Sequence, residues 1–263
     1  MRKYLAFTRG SFMIGLVYRF GPLFSLVGNF VYLGVAYYLW KSIYKNSDTL
    51  RNLTFNETFL YIAIGSAVFI LLKTYVDWEV AYEIREGIIS VHLTKPLDYQ
   101  TYILFVSLGQ IIMSLLVITL PTILIITLVF KVPIPLGLGT LFFPISLLLA
   151  FVISFCFDYF VGVMAFYTES GWGLSTVKEI IILGLSGALI PLQFFPETMQ
   201  SILFILPFQA IYHSPLMMLT QPDQPLSVFL PMLAIQAVWA IVLYALTRLF
   251  FEQAVKVLRI AGG

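Results

Sequence analysis

Long uncharged stretches alternate with short charged ones along most of the chain. A helix needs about 20 mainly apolar residues to cross a bilayer, and a charged side chain is costly in hydrocarbon. Charged residues therefore mark the ends of crossings. This pattern predicts an all-α integral membrane protein with a single transmembrane domain over residues 1–263. The six predicted spans are 20–40, 58–76, 101–130, 138–162, 178–195 and 225–249.

The N-terminal segment, residues 1–19, differs from the spans because basic residues interrupt it. Leu5, Phe12 and Leu16 recur at helical spacing, and Arg9 is among the basic residues placed to meet anionic lipid headgroups. We expect an amphipathic interfacial helix here. The segment is too basic and too weakly apolar for a cleavable signal peptide.

Prolines interrupt the uncharged region between the fifth and sixth predicted spans, residues 198–222. Proline removes a backbone donor, and the groups that it frees need protein or water as partners within a membrane. Pro207 and Pro215 therefore predict short broken helices that are half-inserted or lie at the surface. In the fifth span, the small residues Ser186 and Gly187 favour close approach by another helix.

The distribution of basic residues predicts the orientation, because Lys and Arg accumulate in cytoplasmic loops. Six spans place both termini on one side. That side holds eleven basic residues: Arg2, Lys3, Arg9, Arg19, Lys73, Arg85, Lys95, Lys178, Arg248, Lys256 and Arg259. The other side holds four: Lys41, Lys45, Arg51 and Lys131. We therefore expect both termini in the cytoplasm.

The composition agrees with a protein whose solvent is the bilayer. Hydrophobic residues make up 60% of the chain and charged residues only 11%, with a mean hydropathy of +0.95. Soluble proteins carry about 25% charged residues. A net charge of +2 is also too small for a nucleic-acid partner, which would require many phosphate contacts.

Residues that usually carry catalysis or bind metals are sparse. The single cysteine, Cys156, excludes an internal disulfide, and His92 and His213 are far apart in sequence. The sequence contains no G-x-x-x-x-G-K-[ST] motif that could hold nucleotide phosphates. We expect no catalytic residues, no metal site and no cofactor in this chain.

Asp158 is an acidic residue inside an apolar stretch, between Phe157 and Tyr159. A carboxylate within a membrane is a functional candidate by default. One hypothesis makes Asp158 a proton or cation site. The other places it near the cytoplasmic end of the fourth span, where neighbouring helices or water satisfy it by hydrogen bonds. The sequence leaves both open.

The segment between the second and third spans, residues 77–98, is the most polar part of the chain. Glu79, Glu83 and Glu86 share one face of a helix at this spacing, whereas Val80 belongs to an apolar face. The pattern predicts a short amphipathic helix. Two interpretations stay open: a solvated loop helix, or a rigid docking element for a soluble partner.

Several of these features occur together in a recognisable order. A basic amphipathic N-terminus precedes six spans, YEIREG and LTKPLD lie between spans two and three, and SGALIPLQFFPE precedes LPFQAIYHSP. Over nearly its whole length the chain resembles the permease subunits of bacterial type-2 ATP-binding-cassette (ABC-2) exporters. The resemblance implies a plasma (inner) membrane protein that exports its substrate by alternating access. It also implies a separate ABC ATPase dimer, which binds ATP and Mg, and a second copy of this permease or a related one. A pathway lined by Phe, Tyr and Leu with few charges favours an amphipathic or hydrophobic substrate.

The same resemblance assigns roles to particular residues. In such exporters the segment between spans two and three supplies a coupling helix that docks in a groove of the ATPase. The implied ATPase-coupling residues are Glu79, Val80, Glu83, Arg85 and Glu86 in this segment, with Glu169 and Lys178 in the next cytoplasmic turn. The residues implied to lie near the translocation pathway are Ser186, Gly187 and Pro191.

Two other functions stay open from the residues alone. An ATP-independent carrier or channel would use Asp158 and would lose transport on Asp158→Asn. A non-transport scaffold would bind its partners tightly without substrate-dependent ATP turnover.

Overall fold

A computed structural model describes residues 2–18, 20–51, 53–168 and 171–257. Most of this part of the chain is helical. The longer helices are α1 (Arg2–Val17), α2 (Phe20–Ile43), α3 (Phe55–Leu72), α6 (Tyr99–Ser114), α8 (Leu138–Val163), α9 (Gly171–Leu185) and α12 (Leu226–Ala254). The shorter ones are α4 (Val76–Arg85), α5 (Ile89–Leu93), α7 (Leu120–Leu128), α10 (Glu197–Leu203) and α11 (His213–Thr220).

A short β-ladder and a π-helical turn are among the departures from α-helix in the first half of the chain. A two-residue antiparallel ladder pairs β1 (Thr49–Leu50) with β2 (Leu53–Thr54) between α2 and α3. A π-helical turn, Leu115–Thr119, joins α6 to α7, so that the three form one continuous helical stretch.

Five helical stretches within the described residues are long and apolar enough to cross a membrane. They contain α2, α3 with α4, α6 with α7, α8, and α12. The predicted all-α membrane architecture is therefore confirmed. The number of such stretches is five, whereas the sequence predicted six spans.

The predicted fifth span, residues 178–195, is where the structure differs. Helix α9 begins earlier, at Gly171, and ends at Leu185. Gly187 then adopts φ +78°, a left-handed conformation that glycine reaches without steric cost. The helix therefore ends ten residues before the predicted end of the span at residue 195, because apolar composition does not reveal where the backbone leaves the helical conformation.

The irregular backbone that directly follows α9, at Ser186 and Gly187, is buried and finds partners within the protein. The carbonyl of Ser186 accepts a hydrogen bond from the backbone N–H of His213 at 3.2 Å. The carbonyl of Gly187 accepts one from the Tyr61 hydroxyl at 2.9 Å. Such partners are needed because non-helical backbone is tolerated at membrane depth only where protein or water satisfies it.

Helix α3 is the most buried of the long helices. Its N-terminus has a capping box, in which the Thr54 side chain accepts from the backbone of Glu57 and the Glu57 carboxylate accepts from Thr54 N at 2.8 Å. Most side chains over 58–72 are buried. This is expected for a helix that is apolar on all sides.

Contacts between distant parts of the chain define two ends of the bundle. At one, called the near end, Lys3 Nζ donates to the carbonyl of Pro96 at 2.9 Å and Arg248 lies 3.3 Å from Asp98. The near end therefore holds the start of α1, the start of α6 and the last part of α12. At the opposite, far end, the start of α8 lies beside Pro222.

Helix α1 packs along α6. The Thr8 hydroxyl donates to the carbonyl of Phe105 at 2.7 Å. The helices approach closely because residue 109 is glycine; a Cβ on Gly109 would lie 2.4 Å from the Thr8 carbonyl oxygen. A helix was predicted over 1–19, and its placement in the headgroup layer stays a prediction.

Candidate functional site

Helices α3 and α4 are separated by a short irregular turn at the near end. Helix α3 ends at Leu72, and Tyr75 adopts φ 55° and ψ 25° just before α4 starts at Val76. A bulky residue in the left-handed region is uncommon and costs energy. Surrounding contacts must therefore hold this turn, and they come from α8 and α9.

A buried cluster of three charged residues joins α4, α8 and α9. Lys178 Nζ in α9 donates to Asp77 Oδ2 in α4 at 2.8 Å and to Asp158 Oδ1 in α8 at 2.5 Å. The side chains of Lys178, Asp77 and Asp158 are 14%, 5% and 10% exposed. Charges buried to this degree are stable only when they are paired and hydrogen-bonded. We call these three residues the ion triad.

The ion triad bears on the two hypotheses for Asp158. One carboxylate oxygen accepts from Lys178, and the other accepts from the Thr74 hydroxyl at 3.4 Å. Neighbouring elements thus satisfy both oxygens. This arrangement favours the structural role over a proton or cation site.

A second, more exposed ion pair lies next to the triad. Lys73 Nζ donates to Glu179 Oε1 at 2.8 Å, and the two side chains are 36% and 40% exposed. It connects the residue that follows α3 to α9. Water screens a pair at this exposure, so its contribution to stability is about 0–1 kcal/mol.

Two of the predicted docking residues in α4 face the interior. Val80 is fully buried against α8, where a Cβ on Gly162 would lie 2.7 Å from Val80 Cβ. The Glu83 carboxylate accepts a hydrogen bond from the Tyr99 hydroxyl at 2.6 Å, and its other oxygen lies 3.5 Å from His92 Nε2. These contacts fix α4 to α6 and α8, so these side chains do not face a soluble partner.

The opposite side of α4 is exposed and largely aromatic. We define the exposed α4 face as Tyr75, Trp78, Tyr82, Arg85 and Glu86. Its three aromatic side chains are 58%, 50% and 56% exposed, in chain order. Glu79, another predicted docking residue, is half-buried beside this face. Sequence reasoning missed the aromatic residues, although their spacing of three and four is the signal for one helical face.

The remaining predicted residues lie in other places. Ser186 and Pro191 are buried beyond the end of α9, together with Gly187. At 1.5 Å per helical residue, Leu185 at the end of α9 lies about 10 Å along the helix from Lys178, and Ser186 follows it. The predicted pathway residues therefore do not belong to the ion triad. Glu169 lies outside the described residues.

Metal-binding side chains do not converge in the part of the chain that the structure covers. Groups of three His, Cys, Asp or Glu residues that could hold a metal ion are absent from it. Cys156 is buried in α8, and His213 is buried with its Nδ1 3.3 Å from the Tyr61 hydroxyl. The charged residues of the near end form ion pairs that connect helices.

Long apolar helices that pack around a buried α3, with charged clusters at the near end, define a helical multi-pass membrane protein. A family model described as "ABC-2 family transporter protein" matches residues 30–262. The chain belongs to this family, and the resemblance seen in the sequence is confirmed. The family consists of membrane permeases that lack an ATPase domain, so a separate ATPase partner is implied. No curated protein matches the chain.

Proposed function

We propose that the chain is the transmembrane subunit of an ATP-driven exporter, and that a separate ABC ATPase dimer docks on the exposed α4 face. The observation that carries this proposal is the contrast between the two sides of α4. One side is anchored in the bundle by buried contacts, and the other presents aromatic and charged side chains. Trp, Tyr and Arg are the residues that most often supply the binding energy of protein interfaces.

The docking residues proposed here differ from those that the resemblance implied. Trp78 and Tyr82 join Arg85 and Glu86 as the contacts, because their side chains are exposed. Val80 and Glu83 instead hold α4 in position. Glu79 and Glu169 stay in the proposed contact region.

The ion triad connects α4, the proposed docking helix, to the membrane helices α8 and α9. ATP binding can shift the permease between two states only if the contacts of the ATPase differ between them. Movement of α4 would reach α8 and α9 together, because Lys178 holds Asp77 and Asp158 at once. We therefore propose that Lys178 acts within the permease and not as a direct contact of the ATPase.

In the membrane, α9 and the irregular segment that follows it would form the fifth of six crossings. Both termini and the near end would face the cytoplasm of a bacterium, with the protein in its plasma membrane. A second copy of this permease, or a related one, would complete the transmembrane dimer. Ser186, Gly187 and Pro191 would lie near the pathway of an amphipathic or hydrophobic substrate, because broken helices often line such pathways.

The alternative, an ATP-independent carrier or channel that uses Asp158, has less support. Its carboxylate is already engaged by Lys178 and Thr74. A proton or cation that binds there would have to displace one of these partners.

The proposal is tested by co-purification with the ATPase encoded beside the permease. The double variant Tyr82→Glu with Glu86→Lys changes exposed side chains without touching the buried contacts of α4. We expect at least a tenfold loss of bound ATPase, since a hot-spot residue at an interface contributes about 2 kcal/mol or more (~30-fold), and hot spots are enriched in Tyr. Glu197→Lys, a charge reversal at an exposed site beyond α9, is the matched control and should bind normally.

Unchanged ATPase binding by the double variant, in a protein that elutes as a single folded species, would contradict the docking site. Association without any ATP hydrolysis in lipid would instead favour a scaffold.

A further inference from the structure

A cleft of about 180 Å³ opens between α4, α8 and α9 next to the end of α3. Its lining carries two lysines and three carboxylates, a formal charge of −1: Lys73, Lys178, Asp77, Asp158 and Glu179. Aromatic rings contribute to the walls, among them Phe69, Tyr75 and Trp172. Carboxylates combined with aromatic faces are the chemistry that attracts organic cations.

An ammonium group already lies in this cleft, at the end of the Lys73 side chain. Its Nζ is 5.5 Å from the ring centroid of Phe69 and 5.4 Å from that of Tyr75. The same nitrogen donates to Glu179 at 2.8 Å. The cleft therefore provides one carboxylate and two ring faces for an ammonium ion. Because Lys73 and Glu179 are partly exposed, another cation can displace Lys73 from Glu179 at little cost in free energy.

We propose that this cleft binds the ammonium group of an amphipathic organic cation, and that Lys73 occupies the position until the ligand displaces it. The volume suits a headgroup, since sites for whole drug-sized molecules measure about 300–1,000 Å³. That such a cation is an export substrate rests on the proposed function. The binding itself needs no ATPase.

The probe is n-butylammonium, which has the size of the end of a lysine side chain. It is titrated by saturation-transfer NMR against the full chain in phosphatidylcholine nanodiscs, with 1-butanol as the neutral comparison. We expect saturable binding of n-butylammonium and none of 1-butanol. Saturable binding of both compounds would overturn the proposal, because the cleft would then recognise only apolar surface.

Two variants change the cleft in opposite directions. Lys73→Met removes the competing ammonium group and is expected to tighten binding by about fivefold. Glu179→Gln removes a charge-assisted acceptor and is expected to weaken binding by about tenfold. Glu252→Gln is the matched control, an exposed carboxylate that pairs with Arg248 in α12 and does not line the cleft.

Addition of phosphatidylethanolamine to the nanodiscs distinguishes two sources of a primary ammonium group. Loss of n-butylammonium binding would support a lipid headgroup as the ligand, and unchanged binding would support a soluble amine. Equal binding by the wild type and Glu179→Gln, or weaker binding by Lys73→Met, would overturn the proposal. These binding experiments do not involve the ATPase, so its docking is tested separately by co-purification.

Discussion

Replacement of Lys178 by methionine tests whether the ion triad organises the near end. Methionine keeps much of the volume of the lysine side chain but removes its charge and its hydrogen bonds. Asp77 and Asp158 would then be left buried, with their carboxylates close together and without a cation between them. Two like charges at short range in a medium of low polarity repel each other strongly.

The expected cost follows from the burial of the triad. Removal of one partner of a buried ion pair typically lowers the free energy of unfolding by 3–5 kcal/mol, because an uncompensated charge stays behind. For a chain of this length each kcal/mol lowers Tm by roughly 2–4 °C. We therefore expect Lys178→Met to lower Tm by about 10 °C.

The assay is thermal unfolding of the purified permease in lipid nanodiscs, followed by intrinsic fluorescence. Lys73→Met is the matched control, because it breaks a single pair that is partly exposed, and its Tm should fall by at most about 4 °C. The triple variant Lys178→Met, Asp77→Asn, Asp158→Asn should recover most of the loss, since it removes the buried charges together. Equal Tm values for Lys178→Met and Lys73→Met would refute the reasoning.

Two further predictions concern the anchoring of α4. Gly162→Ala should destabilise the protein by about 1–3 kcal/mol in thermal unfolding, because the new Cβ meets the α4 side chain packed against it. Gly184→Ala is the control, because a Cβ there meets no heavy atom of the described residues within 4 Å, and it should be neutral or stabilising by up to about 1 kcal/mol. Equal losses of stability in the two variants would contradict the close packing of α4 on Gly162. Tyr99→Phe should speed amide hydrogen exchange in α4, because it removes the hydrogen bond to Glu83, whereas Tyr38→Phe at an exposed site should leave that exchange unchanged.

Much of the helical architecture could be predicted because charged residues are costly inside a bilayer. Five of the six predicted spans correspond to long helical stretches, and the polar segment after α3 contains the short helix α4. The end of α9 could not be placed in the same way. Gly187 was visible in the sequence as a small packing residue. The contacts that satisfy the backbone at Ser186 and Gly187 come from Tyr61 and His213 in other parts of the chain.

The candidate site was harder to predict than the helices that form it. The spacing of Glu79, Glu83 and Glu86 indicated an acidic face, and an acidic face is usually solvated. Glu83 is nevertheless turned inward, because Tyr99 supplies a hydrogen bond from the next helix. Periodicity within one helix shows which residues share a face, but only the tertiary contacts show which face is exposed.

The same limit applies to Asp158. The sequence predicted a position near the end of its span and left its role open. The family resemblance assigned its partner Lys178 to the ATPase contact, as part of a cytoplasmic turn. The pairing of the two residues follows from the packing of α8 against α9, which the sequence alone does not specify.

The most direct test of the central claim is site-specific photocrosslinking from the exposed α4 face to the ATPase. A photoreactive amino acid replaces Tyr82 in the permease, and the ATPase is co-expressed with it. The account predicts a covalent permease–ATPase product from position 82, and none from position 38, where an exposed tyrosine of α2 is replaced in the same way. Crosslinking to the ATPase from position 38 but not from position 82 would contradict it.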